Sequence, residues 1–244
     1  MVSSKREIQD TGADSETPKK TSRLKKLACW LLVDLVVAVV VIALLLYRPG
    51  RYDPVDFDSG SQQRGQVSTY LTHELSPQLY NGAQLGEPFE LVVTQKGTNE
   101  IVAGWGWPKV SEEVMLYAPA VLFVPGSVVL MGTANIKGVE LVVTIALEPK
   151  IDGQGLLNLQ LEKIKIGAMN ITPLAKMMAK KMYAEQLAAM PVDIDTESWQ
   201  AKIAAALLND KPFEPVFKIE DRKVRIEEIT VHEGKLTARM LPAS

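Results

Sequence analysis

The stretch DGQGLLNLQLEKIKIGAMNITPLA, Asp152 to Ala175, decides how the second half of the chain is read. Asp152-Gly153 is turn chemistry. Leu157, Leu159 and Leu161 then alternate with polar residues, as a half-buried strand requires. Ile164 and Ile166 resume on the opposite parity, after Glu162-Lys163. A one-residue slip turns every later side chain to the other face unless an extra residue is absorbed. A β-bulge at Glu162-Lys163 absorbs it and bends the strand. Thr172-Pro173 ends the stretch as a helix start, Thr as N-cap and Pro at the first helical position.

The same device recurs near the C-terminus. Val224 and Ile226 share one parity, Ile229 and Val231 the other, with Glu227-Glu228 between. Further strands are expected over 89–94, 121–124, 127–135 and 139–148, then over 213–219, 223–231 and 235–241. Pro125-Gly126, Lys137-Gly138, Asp221-Arg222 and Glu233-Gly234 supply turns. Val139, Leu141, Val143, Ile145 and Leu147 alternate with less apolar neighbours, so this face of the strand is expected to meet the core. Helices are expected over 66–79 (ending near Pro77), 98–105, 172–189 and 196–208, the last with Trp199, Ile203, Ala206 and Leu207 on one face. The fold class is α+β: an N-terminal transmembrane helix, then a long curved antiparallel sheet packed against one or two helices.

Leu27 to Tyr47, LACWLLVDLVVAVVVIALLLY, is long enough as a helix to span about 30 Å of hydrocarbon. Its aliphatic residues favour insertion by about 0.3–0.6 kcal/mol each, which outweighs roughly 3 kcal/mol for Asp34. Lys19, Lys20, Arg23, Lys25 and Lys26 precede the span, and only Arg48 and Arg51 closely follow it. The positive-inside rule therefore expects residues 1–26 as a disordered, basic cytoplasmic tail and the rest outside the cytoplasm. The location expected is the inner (plasma) membrane, single-pass. The residues around Tyr47 lack the small-x-small pattern of a cleavage site, so an uncleaved anchor is read in preference to a signal peptide. Residues 48–65, rich in Pro, Gly, Asp and Ser, are expected as a linker, and 66–244 as an extracytoplasmic domain. A single cysteine, Cys29, excludes an intramolecular disulfide.

Chemistry-bearing patterns are sparse. No Gly-x-Ser-x-Gly elbow occurs, and nothing in the sequence brings His73, beside Glu74, or His232, at a hairpin tip, together with a nucleophile and an orienting acid, which argues against a hydrolase. Asp193-x-Asp195-x-Glu197 lacks the glycine and glutamate of a calcium loop and is read as helix capping. The net charge of −2 gives no reason to expect nucleic acid as a partner. No cofactor, metal or catalytic residue is expected.

Three features admit a functional reading beside a plain one. Asp34 is either the intramembrane contact to a partner helix or an acid tolerated near the interface, and the second is preferred. Trp105 and Trp107, in Gly104-Trp105-Gly106-Trp107-Pro108, form either an interface or ligand loop or a turn capping the core. Met177, Met178 and Met182, with Leu174, form either an adaptable lipid-binding wall or ordinary core, and core is preferred at this spacing.

The order of parts resembles the YpmS-like family of bacterial single-span membrane proteins of unknown function. The likeness lies in Val93-Thr94-Gln95, Asn99-Glu100-Ile101, Leu141 to Pro149, Asp152-Gly153, Ile164-Lys165-Ile166-Gly167 and Ile171-Thr172-Pro173. It covers roughly residues 88–180. The Gly-Trp-Gly-Trp insert and the longer cytoplasmic tail depart from the family pattern. A curved sheet wrapping a helix is also similar to the tubular lipid-binding folds of envelope lipid handling. The resemblance implies a membrane-tethered extracytoplasmic domain with an apolar groove and no known activity. The expectation is therefore a binding module for lipid or another apolar envelope ligand, with the bilayer as its first partner. The rival is a structural scaffold that acts on an envelope protein.

Overall fold

The computed structural model describes residues 20–54, 67–111, 114–189, 199–209 and 211–243. The chain forms two compact units, Met1–Ile42 and Ala43–Ser244. Helix α1, Lys20–Leu45, begins in the first. Its segment Lys25–Leu45 is long and apolar enough to cross a bilayer, and Cys29 and Asp34 are exposed on it.

The second unit holds two antiparallel sheets where one long sheet was expected. The larger runs β2 (Lys109–Ser111), β3 (Val114–Val124), β4 (Ser127–Ile136), β5 (Val139–Ile151), β6 (Leu157–Ile166) and β7 (Met169–Asn170), in that order. The smaller has the order β1 (Phe89–Thr94), β10 (Lys235–Ala243), β9 (Arg222–His232) and β8 (Val216–Ile219). Periodicity marks β1 as a strand but does not reveal that its partner lies at the other end of the chain.

Both expected bulges are present. Leu161 pairs with Leu147 and Lys163 with Ala146, which leaves Glu162 as the extra residue. Glu228 pairs with Arg239 and Ile226 with Met240, which leaves Glu227 as the second. Each acid is held: Ser127 Oγ donates to Glu162 Oε2 at 2.9 Å, and Arg239 Nε lies 3.0 Å from Glu227 Oε2. A third bulge, at Ala118-Pro119 of β3, has Ala118 at φ 50°.

The helices depart from expectation at their ends. The first does not stop at Pro77. A π turn, Leu71–Leu75, runs into α2, Ser76–Leu85, and the Ser76 N–H donates to the Leu71 carbonyl. Pro77 then occupies the first turn of α2, where its missing N–H is tolerated. Helix α3 is Gln95–Ala103, beginning three residues early because Thr94 Oγ1 accepts from the Gly97 N–H at 3.1 Å. Helix α4 is Thr172–Ala189 and α5 is Trp199–Asn209, so the expected first residues of α5 lie outside the described ones. Thr172 does not act as a simple N-cap. Its hydroxyl accepts from the Ile164 N–H at 2.8 Å and bonds Asn170 Oδ1 at 2.6 Å, and Asn170 Oδ1 also accepts from the Thr172 N–H.

Helix α2 lays Leu79 and Ala83 on the inner face of the smaller sheet, against Val224, Ile226, Ala238 and Met240. A second cluster joins the sheets: Val121 and Phe123 of β3 meet Val231 of β9, with Val93 and Val102 beside them. Helix α3 also covers an open edge. Where β2 ends, Asn99 Oδ1 accepts from the Val121 N–H at 2.6 Å and Asn99 Nδ2 donates to the Val121 carbonyl at 2.8 Å. Gln95 Oε1 accepts from the Phe123 N–H at 2.9 Å, and the Gly234 N–H donates to the Phe123 carbonyl at 3.0 Å. Side chains thus replace a neighbouring strand and block edge-to-edge pairing. On α3, Gly97 leaves room for the Tyr70 ring, which a methyl group there would overlap.

The segment 48–54, expected as linker, is ordered structure. Tyr52 is only 5% exposed, against Ala120 and Val142. Its hydroxyl donates to the Ala118 carbonyl at 2.6 Å and lies 2.8 Å from Thr133 Oγ1. The rest of the expected linker, 55–65, lies outside the described residues.

Candidate functional site

Directly paired residues of an antiparallel sheet share a face. The register therefore sorts the larger sheet into two surfaces. On one lie Val139, Leu141, Val143, Ile145 and Leu147 of β5, with Val128, Leu130, Gly132, Ala134 and Ile136 of β4 opposite them. Leu116, Val121 and Phe123 of β3 join on one side. Leu157, Leu159, Leu161, Ile164 and Ile166 of β6 join on the other. The bulge at Glu162 keeps both parities of β6 on this surface. From β3 to β6 every paired side chain on it is apolar, and apart from Phe123 none is aromatic.

This surface was expected to be the buried one, and the structure corrects that. Val142 and Thr144, of the opposite parity, are the buried residues of β5. Tyr52 covers that opposite parity, which sequence periodicity does not predict. Among the described residues, the core clusters that cover the aliphatic surface lie at one end of it. There Phe123 and Val128 meet the smaller sheet, and Ile151 packs into its core. Toward the β4–β5 turn the cover stops: Leu116 is 42% exposed, Val139 is 49% exposed, and Leu130 and Ile136 are also open. Leu141, Val143, Ile145, Ile164 and Ile166 are half-buried. The open part extends about 15 Å across the strands and about 20 Å along β5. An open apolar patch of a few hundred Å² is in the size range of the largest such patch on an ordinary monomer, which is often an interaction surface.

The residues expected to line a groove do not come together. Trp105 and Trp107 precede β2 at one edge of the sheet, and Met177 and Met178 follow β7 beyond the other. Five strand spacings, about 24 Å, separate these edges. Trp105 is 60% exposed. Trp107 instead folds back, its Nε1 donating to the Val102 carbonyl at 2.8 Å, with Lys109 Nζ 5.9 Å from its ring centre. Met177 is 65% exposed, and Met178 and Leu174 are exposed beside it, so the core reading of this stripe fails. The Met182 side chain lies outside the described residues.

The polar groups gather elsewhere. Tyr117 donates to Glu140 Oε1 on the surface that Tyr52 covers. Burial, and then that bond, push the Tyr117 hydroxyl up to about 12. Burial likewise raises Tyr52. At the entry to the first helix of this unit, Glu100 Oε1 accepts from the Tyr70 N–H at 3.0 Å and from Ser68 Oγ at 2.8 Å. The Tyr70 bond chiefly holds the Glu100 carboxyl below its ordinary range. A hollow of 310 Å³ on the outer face of the smaller sheet is lined by Glu90, Glu228, Thr230, His232, Thr237 and Arg239. Such a polar lining does not suit an acyl chain. His73 Nδ1 is 2.8 Å from Thr72 Oγ1. Among the described residues no group of three His, Cys, Asp or Glu side chains is placed to hold a metal ion.

No family model, curated protein or solved structure matches the chain.

Proposed function

We propose that this chain is a single-pass, membrane-anchored lipid-binding module whose extracytoplasmic domain seats an acyl chain on the aliphatic face of the larger sheet. The carrying observation is that this face is apolar throughout β3 to β6 yet half open toward the β4–β5 turn. A saturated chain is the ligand that fits it best. A carbohydrate would want stacking rings and polar groups, and the open part of the face has neither. Each methylene taken from water contributes about 0.8 kcal/mol, so about ten would supply roughly 8 kcal/mol before the cost of association. A tail drawn from a bilayer starts in hydrocarbon as apolar as leucine side chains, so it gains much less than one taken from water. That suits reversible uptake. The resemblance to the tubular lipid-binding folds prompts the same reading, while the YpmS-like family has no known activity to set beside it.

A photo-crosslinking residue at Ile145 in the full-length protein, activated in bacterial membranes, tests this. The expected product is a phospholipid adduct, with none from the same group at Thr230 on the outer face of the smaller sheet. Adducts to protein alone at Ile145 would favour the scaffold reading.

A further inference from the structure

The exposed stripe of α4 is not used by the acyl-binding face, and its neighbours say what it meets. The Ala168 N–H donates to the Leu44 carbonyl at 2.8 Å, and the Gly167 N–H to the Val142 carbonyl at 2.8 Å. A side chain at Gly167 would overlap the carbonyls of Leu44 and Leu45. Leu44 and Leu45 are the last helical residues of the apolar span. They are thus fastened to the β6–β7 turn, at the end of β5 where the aliphatic face is open. Helix α4 starts a few residues later and is pinned to β6 through Thr172 and Ile164. Its first two turns expose Leu174, Met177 and Met178, while Leu46 and Tyr47 are exposed where the span ends.

We propose that the first two turns of α4 form a bilayer-contacting surface, dipping Leu174, Met177 and Met178 into the leaflet at which the apolar span ends. It rests on reading that span as an anchor. The occupant is the lipid surface because the point where the span leaves the bilayer is hydrogen-bonded into the same turn. Methionines are supple and apolar, and suit a fluid, irregular neighbour. Lys176 on the same helix suits anionic headgroups. The contact would hold the open end of the aliphatic face against the source of its ligand.

The test uses the full chain with Cys29→Ser, reconstituted in vesicles of phosphatidylethanolamine and phosphatidylglycerol. An environment-sensitive fluorophore is placed at Met178→Cys, Tyr47→Cys or Lys218→Cys, and lipids carrying a nitroxide near the headgroup are the quencher. All three positions are exposed, so the label leaves packing intact. Quenching at both Met178 and Tyr47 with none at Lys218 is expected. Quenching at Tyr47 alone would overturn the α4 contact and leave the anchor standing. No quenching at either would overturn both. A blue-shifted but unquenched label at Met178 would show a protein partner in place of lipid, which also overturns the proposal.

Discussion

Asn99 shows how much a single side chain does here. It satisfies both the N–H and the carbonyl of Val121 at an edge no strand covers. Leaving such partly buried groups unpaired costs about 1–3 kcal/mol each. Asn99→Ala should lower stability by about 2–3 kcal/mol, read as a shift of the urea midpoint at unchanged slope. Asn99→Asp keeps the acceptor, loses the donor, and should cost about half as much. Tyr52 and Tyr117 make a second case. Both phenols are raised in the folded state, so the folded protein holds protons that the unfolded chain releases from about pH 10. Their contribution is intact below that pH; that of Tyr117 fades as pH rises toward 12, and that of Tyr52 fades as pH rises through its own raised value. Phenolate absorbance should show a late component that shrinks in Tyr52→Phe and in Tyr117→Phe. Glu100 has the opposite sign. Its lowered value gives stability above the ordinary glutamate range that is lost as pH falls through the folded value. Glu100→Gln should flatten the acid limb of the stability profile. None of these roles was legible in the sequence. An Asn, a Gln or a Tyr in a polar stretch carries no mark of the distant backbone group it will meet.

At the scale of elements, the sequence is most informative where parity is interrupted by charge. Glu162 and Glu227 announce their bulges because apolar residues flank them on opposite parities. The bulge at Ala118-Pro119 is hidden, since alanine and proline are compatible with either face. Deleting Glu162 should remove the bulge yet leave Ile164 and Ile166 on the same surface, because Leu161 and Lys163 already pair with consecutive residues of β5, and the protein should still fold by circular dichroism. Glu162→Ala keeps the extra residue, loses only the exposed bond to Ser127, and should cost less than about 1 kcal/mol. The contrast separates the role of backbone length from that of the carboxylate. The helices teach a different lesson. Pro77 looks like a stop, but a π turn before it sets it in a first turn, where proline is harmless. The exposed α4 stripe looks like core because helical spacing marks an apolar face without saying what covers it.

For the molecule, the class of fold was legible and its division was not. Strand content, turns and an apolar N-terminal helix can all be read from local pattern. Two sheets form because β1 joins the C-terminal strands, a long-range pairing that periodicity does not encode. The candidate site follows from the same blind spot. The most regular apolar alternation in the chain, on β5, looked like the best core, yet Tyr52 and its neighbours cover the other face and leave this one half open. The proposed function gives this apolar surface, close to the end of a membrane-length helix, an acyl chain as its occupant. Native mass spectrometry of the Ala43–Ser244 unit, purified from bacteria without detergent, asks directly whether it has one. The account predicts a co-purifying acyl lipid at about one per chain, lost in Leu130→Gln/Val139→Gln while circular dichroism is unchanged. A folded wild-type protein that is consistently empty, or a lipid retained in full by the double variant, would contradict it.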